Sequence, residues 1–171
     1  MDLGLENATV VVQGGTMGMG RAAAECFAQD GARVAVIGRT PTTIDETCER
    51  LRELGSPDAL GLRADITDLD AVEAAFREVD ERWGELNVLV NAAGPSSAGR
   101  FEDLTDDDWH RALDEGLMGM VRCVRAALPL LRRAEWARIV NFSAHSTRRQ
   151  SIDLAAYTAA KAATTSVTKN L

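Results

Sequence analysis

The sequence predicts a doubly wound α/β domain in which helices cover both faces of a parallel sheet. Short runs rich in Val, Ile and Leu alternate along the chain with longer amphipathic stretches, as in successive βα units. A glycine-rich turn also follows the first apolar run and opens the next helical stretch, from Gly14 to Gly20. The length of 171 residues, with 46% hydrophobic residues, favours one core and a single domain.

The apolar runs predict five strands, at residues 8–12, 33–37, 59–62, 86–90 and 138–142. The amphipathic stretches predict helices at residues 19–29, 43–54, 69–83 and 106–131, with a further helix beginning near Leu154. Two of the helix starts have the Thr-x-x-acid spacing of a capping box, Thr67 with Asp70 and Thr105 with Asp108.

The composition argues against several classes of protein. A net charge of -7 disfavours a nucleic-acid partner, because phosphate backbones are bound mainly through Lys and Arg. No apolar run reaches the roughly 18 residues that a membrane helix needs, so we expect a cytoplasmic protein without a membrane partner. Disulfides and a metal site are not indicated by the widely separated cysteines and histidines, Cys26, Cys48, Cys123, His110 and His145.

The glycine-rich turn is the first candidate binding site. Its glycines lie where a Val-rich strand turns into a helix, so backbone N–H groups and the helix dipole could receive a pyrophosphate. Glycine tolerates positive φ and has no Cβ to block the phosphates. A tight turn without a ligand is the alternative. The candidate dinucleotide contacts of this Rossmann-like unit are Gly14, Thr16, Gly18, Met19 and Gly20.

The spacing of this loop resembles that of the short-chain dehydrogenase/reductase family, in particular its 3-oxoacyl reductases. The Thr-Gly-x-x-x-Gly-x-Gly segment of the family is matched from Gln13 to Gly20, with Gln in place of Thr. Two further segments follow the third and fourth strands, as in the family: Asp-Ile at 65–66 and Asn-Ala-Ala-Gly at 91–94. The resemblance implies that the cofactor is contacted by Asp65, Ile66, Asn91, Ala92 and Gly94.

The end of the second strand favours NADP over NAD. Gly38 and Arg39 lie about 20 residues beyond the loop, where an acid would bind the ribose hydroxyls of NAD. Gly38 omits that acid, and Arg39 supplies a cation. In the family such a pair implies NADP, whose 2′-phosphate needs a positive partner. A surface arginine without a ligand is the alternative.

The decisive catalytic pair is Tyr157 with Lys161. Residues four apart share one face of a helix, so the phenol and the ammonium can point into one cleft, where a nearby cation favours phenolate. The resemblance assigns proton transfer with the substrate oxygen to Tyr157. It assigns to Lys161 both the activation of that phenol and a contact to the nicotinamide ribose.

One position of the family's catalytic set is changed at the end of the fifth strand. The substrate-orienting serine of the family falls thirteen residues before Tyr157, at Ala144. Ser146 is our candidate substitute, because side chains alternate along an extended chain and 146 would share the face of 144. A turn residue without a catalytic role is the alternative, and Ser143 or His145 could also hold the substrate carbonyl.

A second change lies in the long fourth helix, where Gly116 occupies the asparagine position of the family's Trp-to-Asn-x-x-Gly segment. The resemblance implies that this asparagine interrupts the helix and supports a water relay to the lysine. Gly116 cannot supply the side-chain amide, although it could leave room for a water.

Two functions fit these residues. The first is a reductase that moves hydride between NADP(H) and the carbonyl or alcohol of a small molecule, such as a 3-oxoacyl compound. The second is a catalytically impaired dinucleotide-binding sensor or scaffold, suggested by Ala144 and Gly116. The resemblance also implies a homodimer or homotetramer. We expect further strands on the C-terminal side, since open sheets of this kind usually have about six or more.

Overall fold

The computed structural model describes residues 3–95 and 98–171, in which five strands form one parallel sheet in the order β3-β2-β1-β4-β5. This confirms the α/β prediction and all five predicted strands, whose ends shift by no more than two residues. The central strands β1 and β4 are buried on both faces, as their continuous apolar sequences require. The strand bounds are β1 Thr9–Gln13, β2 Arg33–Gly38, β3 Ala59–Arg63, β4 Val88–Asn91 and β5 Arg138–Asn141.

Helices pack on both faces of this sheet. Val11 and Leu89 face α3 and α5, whereas Val10 and Val12 face α1 and α2. No helix in the described part of the chain is long and apolar enough to cross a membrane. The helix bounds are α1 Gly18–Gln29, α2 Pro41–Glu53, α3 Leu69–Trp83, α4 Asp106–Leu113, α5 Gly119–Leu131 and α6 Ala155–Thr168.

The prediction of one regular helix over residues 106–131 is wrong at its centre. A π-helical segment, Asp114–Met118, separates α4 from α5. The apolar periodicity continues across this segment, so a helical pattern alone could not reveal the extra residue that a π turn admits.

One of the two predicted capping boxes is confirmed. At the start of α4, the Thr105 hydroxyl accepts a hydrogen bond from the backbone of Asp108, whose carboxylate accepts one from the backbone of Thr105. The predicted box of Thr67 with Asp70 is wrong, because Asp68 caps α3 by accepting from the backbone N–H groups of residues 70 and 71. Aspartate caps as well as threonine, and the Thr67 hydroxyl is instead engaged by Asp65.

Candidate functional site

The segments that carry the predicted binding residues meet at one edge of the sheet. Because all five strands are parallel, the loops after β1, β2, β3 and β4 emerge on the same side. The strand order reverses between β1 and β4, since β1 lies next to both β2 and β4. Open α/β sheets bind ligands at such a reversal.

The glycine loop is packed tightly against the segment that follows β4. Gly14 has φ of +74°, and a Cβ there would lie 2.6 Å from the backbone nitrogen of Ala93, so only glycine fits. A Cβ on Gly18 would meet nothing within 4 Å. Met17, the N-cap of α1, makes no side-chain capping bond. The first N–H groups of α1 therefore face an open space in which they could bind an anion.

The packing of the Thr16 side chain explains why β2 does not end in an acidic residue. This side chain is buried, and a Cβ on Gly38 would lie 2.7 Å from Thr16 Cγ2 and 3.0 Å from Thr16 Oγ1. An acidic side chain at position 38 would therefore displace Thr16. The neighbouring Arg39 is exposed, and its guanidinium lies 3.8 Å from the Asp65 carboxylate. This end of the sheet presents a cation where the sequence predicts the ribose of the cofactor.

Asp65 and Ile66 point to different surroundings. The Asp65 carboxylate accepts hydrogen bonds from the backbone and the hydroxyl of Thr67, at 3.0 and 2.8 Å. These bonds, together with a smaller effect of Arg39, hold the pKa of Asp65 below its usual value. The Ile66 side chain packs against Gly119 at the start of α5, where a Cβ would lie 2.5 Å from Ile66 Cδ1.

The segment at 91–94 lies between the glycine loop and α6. Asn91 is buried at the end of β4 and donates to Asn141 Oδ1 at 2.8 Å. A Cβ on Gly94 would lie 2.7 Å from Lys161 Nζ. The backbone of this segment thus contacts the predicted cofactor loop on one side and the predicted catalytic lysine on the other.

The predicted pair on α6 has the expected i, i+4 geometry. Lys161 is only 4% exposed, and its ammonium donates to the carbonyl of Phe142 at 2.8 Å. Burial lowers the pKa of Lys161 below its usual value. Tyr157 is half-buried one helical turn earlier. Tyr157 and Lys161 are thus one turn apart on α6, and the Lys161 ammonium lies against the 91–94 segment.

The premise for choosing Ser146 is wrong. β5 ends at Asn141, and His145–Thr147 forms a single 3-10 turn, so side chains do not alternate from 144 to 146. Ser146 is 7% exposed, and its hydroxyl accepts a hydrogen bond from Thr158 at 2.9 Å. Ser143 instead shares a hydrogen bond with Thr165 at 2.6 Å, whereas His145 is exposed in the turn.

The space beside Gly116 is filled, contrary to the expectation of room for a water. A Cβ on Gly116 would lie 2.8 Å from Ala160 Cβ and 2.9 Å from Pro95 Cδ. The Gly116 carbonyl accepts a hydrogen bond from Thr164 at 2.9 Å. Pro95 and Thr164, which contact Gly116, were not predicted from the sequence. The spacing of Thr164, seven residues after Tyr157 on the same helical stripe, could have marked it.

Comparisons with known proteins agree on one family. The model of the short chain dehydrogenase family matches residues 8–171. A 3beta-hydroxysteroid dehydrogenase of Mediterraneibacter gnavus is 35% identical over 161 residues, which are 94% of this chain and 58% of that protein.

Two solved structures are similar over most of this chain. A variant of actinorhodin polyketide ketoreductase with NADPH has a TM-score of 0.90 and 30% identity, covering 96% of this chain and 63% of that one. L-sorbose reductase from Gluconobacter frateurii, complexed with NADPH and L-sorbose, has a TM-score of 0.95 and 26% identity, covering 99% of this chain and 65% of that one. The chain thus spans 58% to 65% of the lengths of these three proteins.

Proposed function

The chain belongs to the short-chain dehydrogenase/reductase family, and we propose that it transfers hydride between NADP(H) and the carbonyl or alcohol of a small molecule. The observation that carries this proposal is the position of Lys161. Its buried ammonium lies against Gly94, one residue beyond the backbone that packs on the glycine loop. The cofactor-binding and proton-transferring parts of the site are therefore in direct contact through one short segment.

The residues at the sheet edge fit a dinucleotide. The uncapped start of α1 would bind the pyrophosphate, with Gly14, Gly18 and Gly20 keeping the loop clear of side chains. Arg39 would bind the 2′-phosphate of NADP, exchanging its 3.8 Å contact with Asp65 for a charge-assisted bond. The similar solved structures include two with NADPH and one with NAD+, so the proposal of NADP(H) rests on Arg39.

Tyr157 is the proposed general acid and base. When bound, the nicotinamide supplies or accepts the hydride, while the phenol gives a proton to the substrate oxygen in reduction and the phenolate removes one from it in oxidation. The Lys161 ammonium, one turn along α6, would hold the nicotinamide ribose. The side chain of Lys161 keeps one ammonium donor on the Phe142 carbonyl, which leaves further donors for this contact.

Ser146 is the proposed donor to the substrate carbonyl. Its oxygen accepts the bond from Thr158, so its own proton remains available, since a hydroxyl can donate one bond while accepting others. Because Thr158 directly follows Tyr157, this contact ties the 3-10 turn to the catalytic stretch of α6. We further propose that the protein is cytoplasmic and assembles as a homodimer or homotetramer.

The test is NADPH consumption with a panel of ketones, comparing the wild-type protein with Tyr157→Phe. The variant keeps the aromatic ring but cannot transfer a proton, so turnover should fall by about 10²–10⁴-fold while NADPH binding is retained. Ser146→Ala should lower turnover by a smaller factor, about 5- to 100-fold for one lost donor.

The alternative function is a catalytically impaired dinucleotide-binding sensor or scaffold. It is favoured by Ala144, which places no hydroxyl at the family's serine position. Tight NADPH binding with no turnover of any ketone, and no difference between wild type and Tyr157→Phe, would decide for this alternative.

A further inference from the structure

Three amide side chains form a row across the sheet beneath the site. Gln13 of β1 is in register with Asn91 of β4, which is in register with Asn141 of β5. Side chains in register on parallel strands point to the same face, and the preceding residues on this face are apolar, as at Val11 and Leu89. On this face the core residues are therefore apolar, and the last residue of each of these three strands, next to the edge that carries the candidate site, is polar.

Hydrogen bonds anchor this row at both ends. Gln13 Oε1 accepts a bond from the backbone N–H of Ala93 at 3.0 Å. Asn91 donates to Asn141 at 2.8 Å, and Asn141 donates to the hydroxyl of Thr168, the last residue of α6, at 3.0 Å. One end of the row thus holds the 91–94 segment, and the other holds the helix that carries Tyr157.

The centre of the row is a complementary pair. Gln13 Nε2, a donor, and Asn91 Oδ1, an acceptor, are buried without a hydrogen-bond partner among residues 3–95 and 98–171. The two residues are 1% and 3% exposed. Buried unpaired polar atoms destabilise a fold, so the Gln13 amide carries a cost. The compensating feature of this side chain is its bond to the Ala93 N–H, which points to a role at the site.

The contact of Gln13 lies one residue from the catalytic lysine. Ala93, whose N–H it binds, is followed by Gly94, and a Cβ on Gly94 would lie 2.7 Å from Lys161 Nζ and 2.9 Å from Cε. The backbone at 93–94 is therefore a wall of the pocket that buries the ammonium. The other wall is the Phe142 carbonyl, at 2.8 Å.

We propose that Gln13 is a positioning residue: by holding the N–H of Ala93, it fixes the backbone wall that sets where the Lys161 ammonium lies. Gln13 directly precedes Gly14 of the cofactor loop, so the same side chain couples the loop to the lysine. The catalytic consequence rests on the proposed hydride transfer, whereas the structural link does not.

The first test needs no turnover and compares Gln13→Met with Val11→Ala. Methionine keeps the shape of the buried side chain but cannot accept the Ala93 bond. Val11 lies two residues earlier on the same face of β1 and is equally buried, so its truncation controls for a general loss of packing. In the wild-type protein the Ala93 amide should be protected from hydrogen exchange. Gln13→Met should speed its exchange by about 5- to 100-fold relative to Val11→Ala.

The second measurement follows Lys161 itself. The chain has two lysines, Lys161 and Lys169, so an NMR titration of side-chain signals resolves the buried one against an exposed reference. Gln13→Met should let water reach the ammonium and move the pKa of Lys161 back toward its usual value. If the enzyme turns over a ketone, kcat should also fall by about 10- to 100-fold, as for a misplaced catalytic group.

Three results would overturn the proposal. The first is an Ala93 amide that is not protected from hydrogen exchange in the wild-type protein. The second is an Ala93 exchange rate that does not change in Gln13→Met. The third is a faster Ala93 exchange in Gln13→Met together with a Lys161 pKa equal to that in Val11→Ala. The wild-type measurement stands even if Gln13→Met does not fold. A wild-type protein that reduces no ketone contradicts the proposed function, while the exchange and titration results still decide the role of Gln13.

Discussion

Replacing Gly116 with asparagine, the residue at this position in the family pattern, should damage the protein rather than restore a relay. The new Cβ would lie 2.8 Å from Ala160 Cβ and 2.9 Å from Pro95 Cδ, well inside the roughly 3.5–4.0 Å of an ordinary carbon contact. Neither neighbour can rotate away, because one is a proline ring and the other a single methyl group on α6.

The expected loss of stability follows from these contacts. Overpacking a tight site costs about 1–3 kcal/mol, and an amide buried without a partner costs a further 1–3 kcal/mol or so. Replacing a glycine inside a helical segment improves helix propensity and offsets only about 0.5 kcal/mol of this loss. We therefore expect Gly116→Asn to be about 2–5 kcal/mol less stable than the wild-type protein. Turnover should fall as well, because Ala160 directly precedes Lys161.

The assay is chemical denaturation, in which a lower midpoint at an unchanged m-value reports a loss of stability. Gly84→Asn is the matched control. It makes the same chemical change at the left-handed C-cap of α3, where φ is +75° and a Cβ would meet nothing within 4 Å. Asparagine adopts this strained conformation more readily than most residues, so the control should lose less stability than Gly116→Asn. The double variant Gly116→Asn/Pro95→Ala should recover part of the loss. A Gly116→Asn protein as stable as the control, with raised turnover, would refute the packing argument.

Two further predictions concern single charges. Arg39→Ala should weaken NADPH binding by about 10- to 100-fold, the value of one charge-assisted contact, and NADH binding by less; calorimetric titration tests this, and equal wild-type affinity for both cofactors would contradict it. Because burial lowers the pKa of Lys161, the folded state holds fewer protons than the unfolded state between that lowered pKa and the usual value of about 10.4. Stability should therefore rise with pH through this window. Lys161→Met should remove that rise in urea unfolding measured from neutral to alkaline pH, and an unchanged slope would show that the ammonium is not buried.

The parts of the structure that follow from side-chain periodicity could be predicted, whereas those that follow from contacts between elements could not. The strands were predictable because an apolar run bounded by turn residues fits a buried parallel strand. The same logic failed at Ser146, since the alternation of side chains holds only while the chain stays extended, and the chain turns at His145–Thr147. The apolar pattern of the π-helical segment continues that of α4 and α5, so only the family resemblance, which implies an interruption at position 116, pointed to it.

In the candidate site, too, local features could be predicted and contacts between distant elements could not. Tyr157 and Lys161 could be paired from their spacing alone, because the i, i+4 geometry of a helix is local. The row of amides could not be recognised as one unit from single positions, since Gln13 and Asn141 lie on strands that are far apart in sequence. Their common position, the last residue of a strand in each case, is the signal that would have connected them once the strand order was known.

At two positions where a functional side chain is missing, a neighbour fills the same space. Gly38 lies under Thr16, and Gly116 lies between Pro95 and Ala160. Glycine at these two positions is therefore required by the packing and is not evidence of a decayed site. Ala144 differs, because it carries no hydroxyl and the candidate substitute, Ser146, lies in the turn that follows it. The choice between an enzyme and a dinucleotide-binding sensor thus depends on whether the turn after Ala144 can orient a carbonyl, which the comparison of Ser146→Ala with Tyr157→Phe measures directly.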